Sequence, residues 1–228
     1  MCRLNLQEDI TLLVGPSKEK FTAPKCFLTK SAEFFKACCS SSWKEGQTNT
    51  IELPEETPET FSAYLQWLYT EHLVIVDGFN LDDIKVYSED EPENSAAQEE
   101  TDAAFKALCD FAVLADRLGD ASFTNTVIDW MLKIVTRLNR IVQAEHAIRT
   151  YAILPKFSGI RRLLLDLDLG RGHSEYMERD AEMYTLEYTF DLAVSLMKVA
   201  EKGNEYPDPR WESRCNYHEH RDGASRCT

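Results

Sequence analysis

The triplet Thr57-Pro58-Glu59 is the feature that most limits what this chain can become. A threonine side chain suits an N-cap, and proline fits the first helical turn, where its missing N–H costs nothing. Glutamate then meets the positive end of the helix dipole. From there Phe61, Tyr64, Leu65 and Leu68 recur at helical spacing. A short amphipathic helix holds in water only when its apolar stripe is buried, so the segments around it must supply a core.

Upstream, residues 9–15 read as a strand closed by Gly15-Pro16, with Ser17 to Lys20 as a hairpin turn and a return through Phe21 and Ala23. Pro24 suits the first position of a short helix. Ser31 stands as an N-cap before a compact helix over 32–39 that the serines at 40–42 end. Ile51-Glu52-Leu53 alternates as a short strand, which Pro54 stops. Downstream, Phe105, Leu108, Phe111, Ala115 and Leu118 mark a helix ending at Gly119, and Asp120 caps the next one, with Phe123, Val127, Met131 and Ile134 on one face. One core is expected from Phe21, Leu28, Phe34, Phe35, Phe61, Leu65, Leu68, Leu108, Phe111, Ala115 and Leu118. Beyond it, further helices are expected over 141–151, over 159–169 and, unbroken, over 175–202 up to Gly203.

Composition narrows the function classes. The chain has 228 residues, 43% apolar and 28% charged, which fits a globular protein able to build its own core. Its apolar runs are too short for a bilayer, so no membrane role is expected. The formal net charge of −14 opposes nucleic-acid binding, which relies on basic groups. Much of that charge is local. Asp82, Asp83, Glu89, Asp90, Glu91, Glu93, Glu99, Glu100 and Asp102 face only Lys85 within 81–102, which reads as a solvated acidic insertion. The opening residues, Met1 to Asp9, carry acids where a signal peptide needs an apolar run. The seven cysteines are an odd number without a staple-like spacing. Both observations favour a reducing compartment, cytoplasmic or nuclear.

The order of motifs carries a resemblance. Val14-Gly15, the run from Phe21 to Ser31, Phe34-Phe35-Lys36-Ala37, Trp43-Lys44-Glu45-Gly46, Ile51 to Glu56, Pro58-Glu59-Thr60-Phe61 and Tyr64 to Thr70 together resemble a BTB/POZ domain of the fungal type. Leu114 to Gly119 is similar to a later helix of that family. The resemblance implies an α+β fold, a short three-stranded sheet capped by a helical cluster. The domain is expected over 9–138 with its acidic insertion at 81–102, followed by a mainly α-helical C-terminal region over 139–205 and a Cys/His-containing tail over 206–228. It also implies a protein-interaction role: homo- or hetero-oligomerisation with a homodimer as the expected form, or service as a substrate adaptor on a cullin-type ubiquitin-ligase scaffold. One departure stands out. The family usually has Val-His-Lys where this chain has Ala23-Pro24-Lys25, so the histidine's buried polar role is absent.

Catalytic chemistry finds little support in the sequence, and the chain is expected not to be an enzyme. Cys38 and Cys39 fall in an apolar helical stretch and read as small buried hydrophobes. Gly170-Arg171-Gly172 is too short for a phosphate-cradling loop. Trp43, Trp67 and Tyr69 fit either core or partner anchors. The tail poses the one metal question. Cys215, His218, His220 and Cys227 are four ligands of the type tetrahedral zinc takes, although their spacing is not that of a standard zinc finger. A metal-free structural tail is the other reading.

Overall fold

The computed structural model describes residues 8–40, 43–76, 79, 95–138, 142–203, 206, 208–209 and 212–220. They fall into two compact units, Met1–Ile75 with Leu114–Phe123, and Val76–Val113 with Thr124–Thr228. The expected acidic insertion lies outside the described residues over 81–94, and from Ser95 onward it is helical.

In the first unit, β1 (Asp9–Val14) is the central strand of a three-stranded sheet. It pairs antiparallel with β2 (Glu19–Pro24), Asp9 opposite Pro24 and Val14 opposite Glu19. On its other side it pairs in parallel with β3 (Thr50–Leu53), Thr11 opposite Thr50. Ile10, Leu12 and Val14 are buried, and so are Ile51 and Leu53, the two-residue period of strands with one face on a core. The hairpin turn sits two residues earlier than expected. Gly15 and Lys18 take positive φ, and the Lys18 amide closes on the Gly15 carbonyl at 3.0 Å, which releases Glu19 and Lys20 into β2. Gly15 is required there twice over: its φ is +74°, and a Cβ would crowd the Glu56 carbonyl and the Pro58 ring.

Three short helices link β2 to β3: α1 (Lys25–Ser31), α2 (Glu33–Cys38) and α3 (Lys44–Thr48). Pro24 is the N-cap of α1 and not its first residue. Ser31 is not the cap of α2. It ends α1, Ala32 takes an extended conformation between the two helices, and the Ser31 hydroxyl donates to the buried carboxylate of Asp120. A hydroxyl drawn to a buried acid is not available to an amide. The helix expected to start at Thr57 does so. The Thr57 hydroxyl accepts from the Thr60 amide at 3.2 Å, and α4 (Pro58–Thr70) buries Phe61, Tyr64, Leu65 and Trp67. Leu68 is only half-buried, and Trp67 takes the deeper position.

Two longer helices follow, α5 (Ser95–Leu118) and α6 (Ala121–Leu138), joined at Gly119 and Asp120. Gly119 takes φ +62° to end α5, and Asp120 Oδ1 accepts from the amides of Ser122 and Phe123, both at 3.1 Å, to start α6. The single expected core is divided. Ala115 and Leu118 belong to the first unit, Leu108 and Phe111 to the second. With 24 residues, α5 is about 36 Å long, more than one small core needs, so the two ends of the helix serve different units.

The rest of the second unit is helical: α7 (Ala144–Ile153), α8 (Gly159–Arg171), α9 (Ser174–Arg179) and α10 (Leu186–Lys202), of which α7, α8 and α10 pack on one another. The unbroken helix expected over 175–202 is interrupted. A 3-10 turn at Ala181–Met183 intervenes, and Thr185 then starts α10 by accepting from the Tyr188 amide at 3.3 Å. No described helix is long and apolar enough to cross a membrane.

Candidate interaction surfaces and the anchored tail

Asp120 organises the first unit. It is fully buried, yet each of its oxygens is occupied: Oδ1 by the two α6 amides, Oδ2 by the hydroxyls of Ser31 and of Tyr64, the latter at 3.0 Å. A buried acid needs such compensation, since an unpaired one would be expelled or protonated. Burial, and then the Asp120 charge, push the Tyr64 hydroxyl well above its ordinary value, so it stays a donor. This cluster is structural: every polar atom in it is spent on joining α1, α4 and the start of α6.

The aromatic residues that the sequence left undivided now separate. Trp67 is core, with its ring 4.7 Å from Phe123 and 5.9 Å from Tyr64. Trp43, just before α3, is 61% exposed, and Tyr69, 46% exposed, stacks edge-on against Phe27 at 5.2 Å. Cys39 is buried and Cys38 half-buried, and burial pushes both thiols up, away from the reactive thiolate. These properties suit core material.

The second unit is rich in tyrosine–acid pairs. Tyr151 donates to Asp191 at 2.7 Å, Tyr188 to Asp168 and Tyr217 to Asp166 at 3.0 Å. Arg161, 4% exposed, lies over the Tyr151 ring at 3.7 Å and donates to Glu187 at 2.8 Å, Asp191 at 3.3 Å and the Leu154 carbonyl at 3.1 Å. Burial pushes the Asp166 and Asp168 carboxyls up, against the hydrogen bonds from their tyrosines. These groups tie α8 to α10 and to the tail.

The tail is where the sequence left a zinc site and a metal-free structural tail open, and its described part is held by protein groups. Arg214–Asn216 form a 3-10 turn, and Tyr217 is 1% exposed with its carbonyl against Gly159, where a Cβ would collide with it. Arg162 donates to the Asn216 carbonyl. The His218 ring Nε2 stands 3.0 Å from Asp129, which Arg214 also approaches at 3.7 Å. Asn125 pairs with the Glu219 backbone in both directions, at 2.9 and 2.7 Å. Burial, more than the opposing charge of Asp129, sets the His218 ring below its ordinary value. Of the four residues read as zinc ligands, Cys215 is half-buried and the His218 and His220 rings stand 6.4 Å apart, while Cys227 lies outside the described residues. Among the described residues no three His, Cys, Asp or Glu side chains stand close enough together to hold a metal ion. What sequence reasoning missed is Tyr217, the deepest anchor of this segment. Its signal was no stronger than that of Tyr206 and Trp211, the other aromatic residues of the tail.

The BTB/POZ domain family model matches residues 2–87. The three-stranded sheet and its helices are therefore a BTB domain, followed by a mainly helical C-terminal region. A BTB/POZ domain is in general a protein-interaction module and not a catalytic fold. No curated protein matches the chain.

Proposed function

We propose that the chain is an assembly protein whose BTB unit mediates homo- or hetero-oligomerisation, with the homodimer as its basic form. The observation that carries this reading is Trp43, a tryptophan left 61% exposed in a unit that buries Phe35, Phe61, Tyr64 and Trp67. Exposed tryptophan on a rigid frame is the residue most often found at the energetic centre of an interface. Light scattering of the full chain over a dilution series tests it. A dimer is expected at micromolar concentration, with Trp43→Ala raising the dissociation constant about tenfold or more. An unchanged dissociation constant in that variant would remove Trp43 from the account.

A cullin-type ubiquitin-ligase scaffold is the alternative partner. Tyr69, 46% exposed on α4 and braced by Phe27, supports it, since the family that the motifs resemble generally docks cullins through the outer faces of the helices matching 57–70 and 105–138. Co-purification of a cullin with the wild type but not with Tyr69→Ala would favour this reading over self-assembly. In either case the unstapled cysteines favour action in the cytosol or nucleus.

A further inference from the structure

Residues 214–220 are held the way a bound peptide is held. Asn125 and Asp129 stand one turn apart on α6, and Gly159, Arg162 and Asp166 fall at three- and four-residue steps on α8, so each helix turns one face to this segment. Three of these five address its main chain. Asn125 pairs with both the amide and the carbonyl of Glu219, Arg162 donates to the Asn216 carbonyl, and Gly159 leaves room for the Tyr217 carbonyl. The other two meet side chains: Asp166 accepts from the Tyr217 hydroxyl, and Asp129 lies 3.0 Å from the His218 ring and 3.7 Å from Arg214. Tyr217 is 1% exposed, while Asn216, Glu219 and His220 face solvent. The amides of Asn216, Tyr217 and His218 close on the Ser213 and Arg214 carbonyls, so the segment carries its own turn with it. It can leave as a unit without unwinding a helix of the fold.

The identity of a second occupant follows from what an exchange would cost. A foreign peptide has to displace a ligand tethered to the same chain, at an effective concentration of about millimolar. A second copy carries the same residues 214–220 and gives up the same site. Exchange between copies breaks and remakes identical contacts and leaves neither groove open, which is why swapping an element is a low-cost route to a dimer. The tether is long enough. Residues 204–213 separate Gly203, at the end of α10, from Arg214, a reach of no more than about 40 Å and several times the width of a helix.

We propose that the face shared by α6 and α8 is a peptide-docking site, filled here by the chain's own residues 214–220, and that assembled copies exchange these segments, each lying in the other's groove. The exchange rests on the homodimer reading and gives that dimer a second contact, in the C-terminal region. Two full-length variants test it by complementation. Gly159→Ala keeps its tail and blocks its groove, because the added Cβ strikes the Tyr217 carbonyl. Tyr217→Ala keeps its groove and loses the anchor of its tail. Hydrogen exchange of residues 214–220 in each variant alone is expected to run about tenfold or more faster than in the wild type. Mixing isotope-labelled Gly159→Ala with an excess of Tyr217→Ala should slow the Gly159→Ala tail again by about fivefold or more. By sedimentation, each variant alone should dimerise with a dissociation constant raised about tenfold. Where circular dichroism shows a variant misfolded, Asn125→Ala replaces Gly159→Ala, and Glu219→Pro, which has no amide for Asn125, replaces Tyr217→Ala. A Gly159→Ala tail that stays fast on mixing belongs to a strap that serves only its own chain, and overturns the exchange. A wild-type dimer whose dissociation constant neither variant changes overturns it as well and leaves self-assembly standing, whereas a wild-type monomer overturns both.

Discussion

Asp120 shows how much of this protein rests on single polar residues. It is the N-cap of α6 and also the acceptor for Ser31 and Tyr64, side chains 89 and 56 positions away in sequence. Asp120→Ala is expected to destabilise the protein by about 2–4 kcal/mol, from the lost cap and two buried hydroxyls left without their acceptor. Thr57→Ala loses only the cap of α4 and should cost about 1 kcal/mol. Urea unfolding of both variants measures the contrast, and equal losses would mean that the hydroxyls contribute nothing. The capping roles of Thr57 and Asp120 were legible because a cap is a local pattern of side chain, helix start and dipole. The role of Ser31 was not. It read as an N-cap, and the acid that claims its hydroxyl is distant in sequence and close only in space.

At the scale of elements, strands and long helices follow their hydrophobic periods, and departures arise where a short segment answers to something beyond its own pattern. The period-two run in β1 and the helical stripe in α4 were readable, and so were the ends of α5 at Gly119 and of α10 at Gly203. The helix α3 was not, because five residues without an apolar repeat carry no period. The break before α10 was missed because the apolar pattern continues across it, although Thr185, as a cap, was its local mark. The tail is the largest such case. Its cysteines and histidines left a metal site and a metal-free structural tail both open, and its described part is fastened by Tyr217, His218 and Asn125 to α8 and α6. Because burial holds the His218 ring below the ordinary 6.5, the folded protein binds its proton more weakly than the unfolded chain. Its share of stability is present above pH 6.5 and is lost as pH falls toward the folded value. Hydrogen exchange of residues 214–220 should therefore quicken as pH falls below 6.5, relative to the intrinsic rate, and His218→Asn should abolish that dependence. Exchange that slowed on acidification would show the Asp129 charge, and not burial, to be the stronger influence.

For the whole molecule, the buried tyrosines bear on the alkaline limit, and the proposed assembly rests on an exposed aromatic residue. Burial first, and then neighbouring acids, raise the folded values of Tyr64, Tyr188 and Tyr217, and Tyr151 is pushed up to about 12. Each contributes stability that is complete below the unfolded value of 10.0 and is lost as pH rises through the folded one. Unfolding followed by circular dichroism should thus coincide with the last, cooperative part of the tyrosine ionisation followed by ultraviolet absorbance above pH 10.0, and full ionisation of the tyrosines before unfolding would contradict the hydrogen-bonded picture. The surface proposed for assembly is centred on Trp43, which stands exposed ahead of α3. In the proposed function the BTB unit joins chains. Sedimentation equilibrium of the full chain tests it most directly: the account predicts twice the 26.2 kDa monomer mass at micromolar concentration, and a strict monomer at tens of micromolar would contradict it.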